Sequence, residues 1–289
     1  MPLPPSVPPP APHAGSLEHE YVLAAPVALA GSGASRTVSE SLDAAVGWSK
    51  AIAFGTDAYY TSPCQRVRIA NPVESHYGGW TIAFAEDALG VPDWIATLGR
   101  ETPAEVVSAF TDALVAGLGN SFRDHLLGGA LFVPTGPAAL LAEQGWEPAP
   151  RQSGAHFQVA PDGHAAYRIR LGPAHTYDEL MDPELSTWRL SGGPDPLTAP
   201  TWQAYFTAGT PQHLIAASAK ALADPEPVSR YVHAIPERHP PLVTTQPARR
   251  ERSQTAAARA RSVPGSRQLR VLATPMPQAG YTAPPRRQR

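Results

Sequence analysis

Two short arginine pairs are the residues of this 289-residue chain best suited to a charged partner: Arg66 and Arg68 in "CQRVRIANP", and Arg168 and Arg170 in "YRIRLGP". If each pair lies on a β-strand, side chains alternate between faces. The two guanidiniums then share one face about 7 Å apart, while Val67 and Ile69, or Tyr167, Ile169 and Leu171, point to the other. Like charges so placed attract an anionic partner, or else form a solvated outer sheet face paired with acids. A second source of arginine lies beyond residue 248, where ten of the 23 basic residues and one of the 25 acidic residues, Glu251, are found. That end includes Arg249, Arg250, Arg252, Arg259, Arg261, Arg267 and Arg270 and carries +9, against −11 for the rest, so the net charge of −2 hides an acidic body and a basic tail. Such arginines neutralise phosphates in sequence-independent, salt-sensitive nucleic-acid binding. Alternatively they are a disordered end whose arginine content reflects coding composition, as the mere two lysines in the whole chain would fit.

Other chemistries lack the spacing they need. Ten histidines are present without His-x-x-x-His or His-Glu-x-x-His, and a single cysteine, Cys64, allows neither an intrachain disulfide nor a Cys-x-x-Cys metal site. No metal ligand, cofactor site or catalytic residue is therefore assigned. Neither Gly-x-Ser-x-Gly nor Ser-x-x-Lys occurs, and "GSGAS" at residues 31–35 lacks the third glycine of a dinucleotide fingerprint. An acidic stretch, "HTYDELMDPEL" at residues 175–185, brings Asp178, Glu179, Asp182 and Glu184 close together. It is suited to a cation, a basic partner or the chain's own basic end, or it is a solvated loop or short helix.

These residues sit in a chain that repeats itself. "WIATLGRETPAEVVSAFTDAL", residues 94–114, shares seven of 21 positions with "WQAYFTAGTPQHLIAASAKAL", residues 202–222. The six tryptophans fall into two sets, Trp48, Trp80 and Trp94, then Trp146, Trp188 and Trp202, and the last interval is 14 residues in both. They are read as core anchors, the alternative being a stacking surface for a ligand or single-stranded nucleic acid. Each copy predicts an apolar first strand (residues 21–30 or 126–133), then a short helix ending in Gly-Trp (residues 39–48 with Leu42 and Val46, or 137–146 with Leu140 and Leu141). Two strands around a proline turn follow (residues 58–72 or 156–173), then a third strand at Trp80 or Trp188 and a fourth from Trp94 or Trp202. The closing helix has Val106, Val107, Phe110 and Leu114, or Leu214, Ile215 and Leu222, at helical spacing, and Thr102 with Glu105 predicts a capping box at the first of them. The expected fold is α+β: two β-α-β-β-β-β-α units of mostly antiparallel sheet with helices on one face, packed as a pseudo-dimer.

The tandem arrangement, Gly-Trp after a short helix, the Ser62-Pro63 or Ala160-Pro161 turn, the Arg-bearing strand and a Trp strand running into Thr-Pro resemble the SPDY domain, a family typical of actinobacteria and often present in two copies. Neither copy keeps the name-giving motif whole: Ser62-Pro63-Cys64-Gln65 lacks the aspartate and Ala160-Pro161-Asp162-Gly163 lacks the serine. The resemblance implies no activity, since the family has none assigned. It frames the domains as a Pro-rich disordered N-terminus (residues 1–20), copy 1 (21–118), copy 2 (119–228) and a disordered Pro/Arg-rich tail (229–289), with 34 prolines clustered at both ends. A lone cysteine and an opening segment without the basic start and apolar run of a leader predict a cytoplasmic protein. The expected function is a non-enzymatic intracellular interaction module with a protein partner. Nucleic-acid binding through the tail is the alternative, and a small hydrolase or transferase with a cleft between the copies the third reading.

Overall fold

The computed structural model describes residues 21–72, 79–118, 126–127, 136–150, 154–173 and 175–247. Copy 1 runs β1 (Tyr21–Ala25), α1 (Ser35–Ala44), β2 (Ser49–Ala53), β3 (Asp57–Thr61), β4 (Val67–Asn71), β5 (Gly79–Phe84), β6 (Trp94–Gly99) and α2 (Ala104–Leu118). Copy 2 runs α3 (Pro137–Glu143), β7 (Glu147–Pro148), β8 (Ala155–Val159), β9 (Ala165–Arg170), α4 (Thr176–Met181), a 3-10 turn (Pro183–Leu185), β10 (Trp188–Gly192), β11 (Trp202–Phe206) and α5 (Gln212–Leu222). Two further strands follow, β12 (Val228–Tyr231) and β13 (Thr244–Pro247).

Ten strands form one sheet in the order β2-β3-β4-β5-β6-β11-β10-β9-β8-β7. Each half is an antiparallel meander of five, and the halves meet where β6 pairs with β11: Leu98 faces Ala204, Thr97 faces Tyr205 and Ala96 faces Phe206. Threonines extend this seam at both ends. The Thr207 N–H donates to the Ile95 carbonyl at 3.1 Å while Thr207 Oγ1 accepts the Ile95 N–H at 3.0 Å, and the Thr102 hydroxyl donates to the Gln203 carbonyl at 3.3 Å. Period-two patterning makes one face apolar, so Trp80, Ile82, Phe84, Trp94, Ala96 and Leu98 are buried with Trp188, Leu190, Trp202, Ala204 and Phe206.

Helices α1, α2, α3 and α5 cover that face and contribute to a single core through Val38 and Leu42, Phe110 and Leu114, Leu141, and Leu214 and Ile215. α2 and α5 lie against each other above the seam, where the Ser218 hydroxyl donates to the Val106 carbonyl at 2.9 Å. Phe84, Trp94, Phe110 and Phe206 form a continuous aromatic run with centroid separations of 5.9, 6.3 and 5.7 Å, crossing from one half to the other. Each such pair adds about 0.5–1.5 kcal/mol beyond the area it buries. The seam tryptophans are also exchanged between halves: Trp94 Nε1 donates to the Leu126 carbonyl and Trp202 Nε1 to the Ala28 carbonyl, both at 2.9 Å.

Several expectations are corrected. β1 does not join the large sheet; it is the middle strand of a separate three-stranded sheet, β12-β1-β13, whose partners arrive from some 200 residues away. Leu126 and Leu127 are helical rather than extended, and residues 128–133 of that predicted strand lie outside the described residues. β2 and β7 were not anticipated, because β2 is exposed along nearly its whole length and β7 has two residues, so neither shows alternation. α1 starts earlier than predicted and buries Val38 and Leu42, leaving Val46 exposed. The capping box does not form: Thr102 bonds across the seam, and Glu105 receives the Arg230 guanidinium at 2.8 and 2.5 Å.

Residues 229–247, expected to begin the disordered tail, are instead built into the structure. Arg230, 4% exposed, joins Glu105 to the Gly31 carbonyl, and buried His239 bridges the Leu29 carbonyl (Nδ1, 2.8 Å) and the Thr201 hydroxyl (Nε2, 2.9 Å). These partners are distant in sequence, which is why local composition did not reveal them. Truncation after Ile235 removes β13 and His239 and is expected to lower the thermal midpoint, whereas truncation after Ala248 leaves it unchanged; calorimetry of the two shortened chains checks this. Gly192 faces Trp202 across the β10–β11 ladder, and a Cβ there would lie 2.6 Å from the indole. Gly192→Ala is expected to cost about 1–3 kcal/mol in urea unfolding, as overpacking of a filled core does.

Candidate binding face of the sheet

The alternation that buries the tryptophans sends the intervening side chains to the face without the four core helices. On the six central strands that face carries Arg68 on β4, Thr81 on β5, Thr97 on β6, Gln203 and Tyr205 on β11, Arg189 on β10, and Arg168 and Arg170 on β9. Its charged residues on these strands are four arginines, with no carboxylate among them. Asp57 and Glu147 reach this side only from the outer strands β3 and β7.

The two predicted arginine pairs are not brought together. β4 and β9 stand five strands apart, about 24 Å at ordinary strand spacing. Arg66 precedes β4 and is half-buried; Arg68 is exposed and donates to the Ala88 carbonyl. Arg168 and Arg170 are partly buried beneath the acidic stretch, which forms α4 and the 3-10 turn. Arg168 Nη2 donates to the Ser186 carbonyl at 2.7 Å and the Glu184 carbonyl at 3.4 Å. Arg170 pairs with Glu179 at 3.3 Å, and this buried carboxylate also accepts the Thr187 hydroxyl at 2.6 Å and the Ala208 N–H at 2.7 Å. Glu179 thus pins the acidic stretch to the sheet. Asp178, Asp182 and Glu184 are exposed.

Arg189 and Tyr205 were missed. Placing Arg189 opposite Trp188 and Leu190 needed only the alternation of the predicted strand; that it faces Arg168 directly across the ladder needed the register. Tyr205 is the next residue in the same row, opposite Arg189 on β11. Burial holds both Arg168 and Arg189 below the usual guanidinium range, with their mutual repulsion adding to the effect on Arg168 and the Glu184 charge opposing it on both. Burial raises the Tyr205 phenol, and Glu184 raises it further. A groove of about 520 Å³ adjoins this row at Tyr205 alone, lined by Thr97 and Gly99 of copy 1 and by Asp182, Pro183, Glu184 and Tyr205 of copy 2, and the Tyr205 hydroxyl donates to Gln203 Oε1.

The other predicted residues lie elsewhere. Trp80, Trp94, Trp146, Trp188 and Trp202 are buried, and Trp48 packs half-buried against the same core. The tail arginines from Arg249 onward are outside the described residues. Among the described residues no cluster of three or more His, Cys, Asp or Glu is arranged to hold a metal, and no helix is long and apolar enough to cross a membrane.

The proline turns have a local structural role. In copy 1 the Ser62 hydroxyl accepts the Val67 N–H at 3.1 Å and the Ser62 carbonyl accepts the Gln65 N–H at 2.9 Å. In copy 2 the Ala160 carbonyl accepts the Gly163 N–H at 2.9 Å, and Asp162 Oδ1 takes the His164 N–H at 2.9 Å. Serine in one copy and aspartate in the other thus close the same turn from opposite ends. Gln65 and Gly163 occupy its last position with φ of +62° and +78°.

Taken together, these features define a tandem α+β protein whose two halves share one antiparallel sheet. Residues 61–118 and 159–228 each match the SPDY family model, described as a domain of unknown function (DUF317). Each matched segment begins at the proline turn and ends at or just after the helix above the seam, so the recurring unit is the turn, three inner strands and that helix. No curated protein and no solved structure matches the chain.

Gln65 holds a left-handed conformation that costs an L-residue about 1–2 kcal/mol, partly offset by the chain entropy glycine loses. Gln65→Gly is expected to stabilise the fold by about 0.5–1 kcal/mol in denaturant unfolding.

Proposed function

We propose that this protein is a non-enzymatic interaction module whose docking surface is the sheet face opposite the core helices, and that its partner is polyanionic. The observation that carries this reading is the row composition of the six central strands: four arginines without a strand-borne carboxylate, in a chain whose body is otherwise acidic. A ten-stranded sheet fixes the spacing between Arg68 and the Arg168–Arg189 pair, which suits a partner with charges repeated along its length. Single-stranded nucleic acid fits that description, and Tyr59 and Tyr205 on the same face offer rings for base stacking.

The test is fluorescence anisotropy of the full chain with labelled oligo-dT and, separately, labelled poly-glutamate, at about 50 and 200 mM salt. Salt-sensitive binding of oligo-dT is expected, with Arg68→Ala weakening it and lowering the salt slope by about one. Preference for poly-glutamate would assign the face to an acidic protein; binding of neither probe would sink the proposal.

A second reading rests on the +9 charge of residues 249–289. If that end supplies the phosphate contacts, a chain ending at Ala248 loses the salt-dependent affinity while Arg68→Ala leaves it intact. The cut belongs after Ala248 because an earlier one, near Ile235, also removes β13 and His239.

A further inference from the structure

A cavity of about 330 Å³ opens on the helix side of copy 2, where the proline turn, the end of α5 and the segment after β1 meet. Most of its lining is apolar, with Trp146, Ala165 and Leu222 buried and Pro161 beside them. Among the described residues its charged lining consists of Asp162, from the turn, and Asp224, just beyond α5, with no lysine, arginine or histidine. Both aspartates are exposed, and each spends Oδ1 on the backbone, taking the His164 N–H at 2.9 Å and the Glu226 N–H at 3.0 Å. Oδ2 of each is left for a partner. The peptide dipoles of α5 add to this charge, because a helix C-terminus favours a cation and α5 ends against the cavity at Leu222. Pro225 sits where the N–H for the Ala221 carbonyl would come from and has none. Copy 1 lacks all of this. Offset by the 108-residue repeat, Asp224 and Pro225 correspond to Ala116 and Gly117, α2 runs on to Leu118, and the turn has Cys64 in place of Asp162.

We infer that this cavity binds an organic cation, an ammonium or guanidinium carried on an apolar stem about as long as a lysine or arginine side chain. The charged head is met by Asp162, Asp224 and the end of α5, while the stem lies against Trp146, Leu222 and Pro161. The volume is at the small end of the roughly 300–1,000 Å³ of ligand pockets, so one such group fills it. Charge and stem are both needed: a bare cation buries no apolar surface, and a neutral stem leaves the two carboxylates unanswered. The aspartate of the proline turn thereby has a second role besides closing the turn. This site stands apart from the proposed docking face and does not rest on it, since the lining offers nothing to a polyanion.

The experiment titrates n-butylguanidinium into the full chain by isothermal calorimetry, with n-butanol as the probe lacking the charge and methylguanidinium as the probe lacking the stem. The variants are Asp162→Asn, Asp224→Asn, their double, and Asp195→Asn. Asparagine keeps an oxygen to accept the backbone N–H, so the turns persist while the charge is removed. Asp195 is an exposed turn residue outside the cavity that accepts the Thr198 N–H at 3.1 Å, and its neutralisation changes the net charge equally. Each cavity variant is expected to weaken n-butylguanidinium binding about three- to tenfold, against less than about twofold for Asp195→Asn. Methylguanidinium should bind at least about tenfold more weakly, because it buries no stem. Unchanged affinity in the double variant, an equal loss in Asp195→Asn, or n-butanol binding as tightly as the cation would overturn the site. N-acetylarginine methylamide separates the two sources of the cation. Tighter binding than n-butylguanidinium assigns it to a partner's side chain and weaker binding to a free small molecule, and the site stands in both cases.

Discussion

Because β6 and β11 spend their free edges on each other, each half of the protein depends on the other for the hydrogen bonds of its last strand. The contact is short in register, Ala96–Leu98 against Ala204–Phe206, but it is reinforced on the core side by α2 against α5 and by the aromatic run from Phe84 to Phe206. The exchanged tryptophan bonds tighten it further. Trp94, from the first half, finds its acceptor at Leu126, and Trp202, from the second, finds its acceptor at Ala28. Burying an indole N–H without an acceptor is expensive, so neither half satisfies its own seam tryptophan alone.

The same coupling explains which parts of the fold could be read in advance. Helices α2 and α5, the turn strands and the seam strands carry strong alternation or helical spacing, and Val107, Phe110, Leu214 and Ile215 are buried as that spacing requires. What escaped local reading involves partners far apart in the chain. β1 has the look of a first strand but pairs with β12 and β13, and Glu105 sits where a capping residue belongs but is taken by Arg230. For the candidate face, the side on which the Arg-x-Arg residues lie follows from period two, while the Arg168–Arg189 juxtaposition depends on a register that no single segment encodes.

The two copies differ most on the face where the core places no demand. Their buried sides keep tryptophan, small residues and aromatics in matched positions, whereas the opposite side has an exposed Arg68 in one half and a covered arginine row in the other. The turn residues show how such divergence is tolerated: Ser62 and Asp162 make different hydrogen bonds that close an equivalent bend. A duplicated scaffold held by its seam leaves the outward row of each half free to change independently.

The seam also bears on how the sheet ends. Each half offers one edge to the seam, and pairing last strand against last strand is a two-fold contact that closes on itself rather than propagating. Tandem linkage consumes the two adhesive edges within one chain, leaving β2 and β7 outermost. β7 is two residues long and ends in Pro148, which offers no N–H, while β2 carries Lys50, tied to Asp43 at 2.9 Å. Both ends are thus poor templates, and covalent duplication turns a self-adhesive half-sheet into a closed count of ten strands.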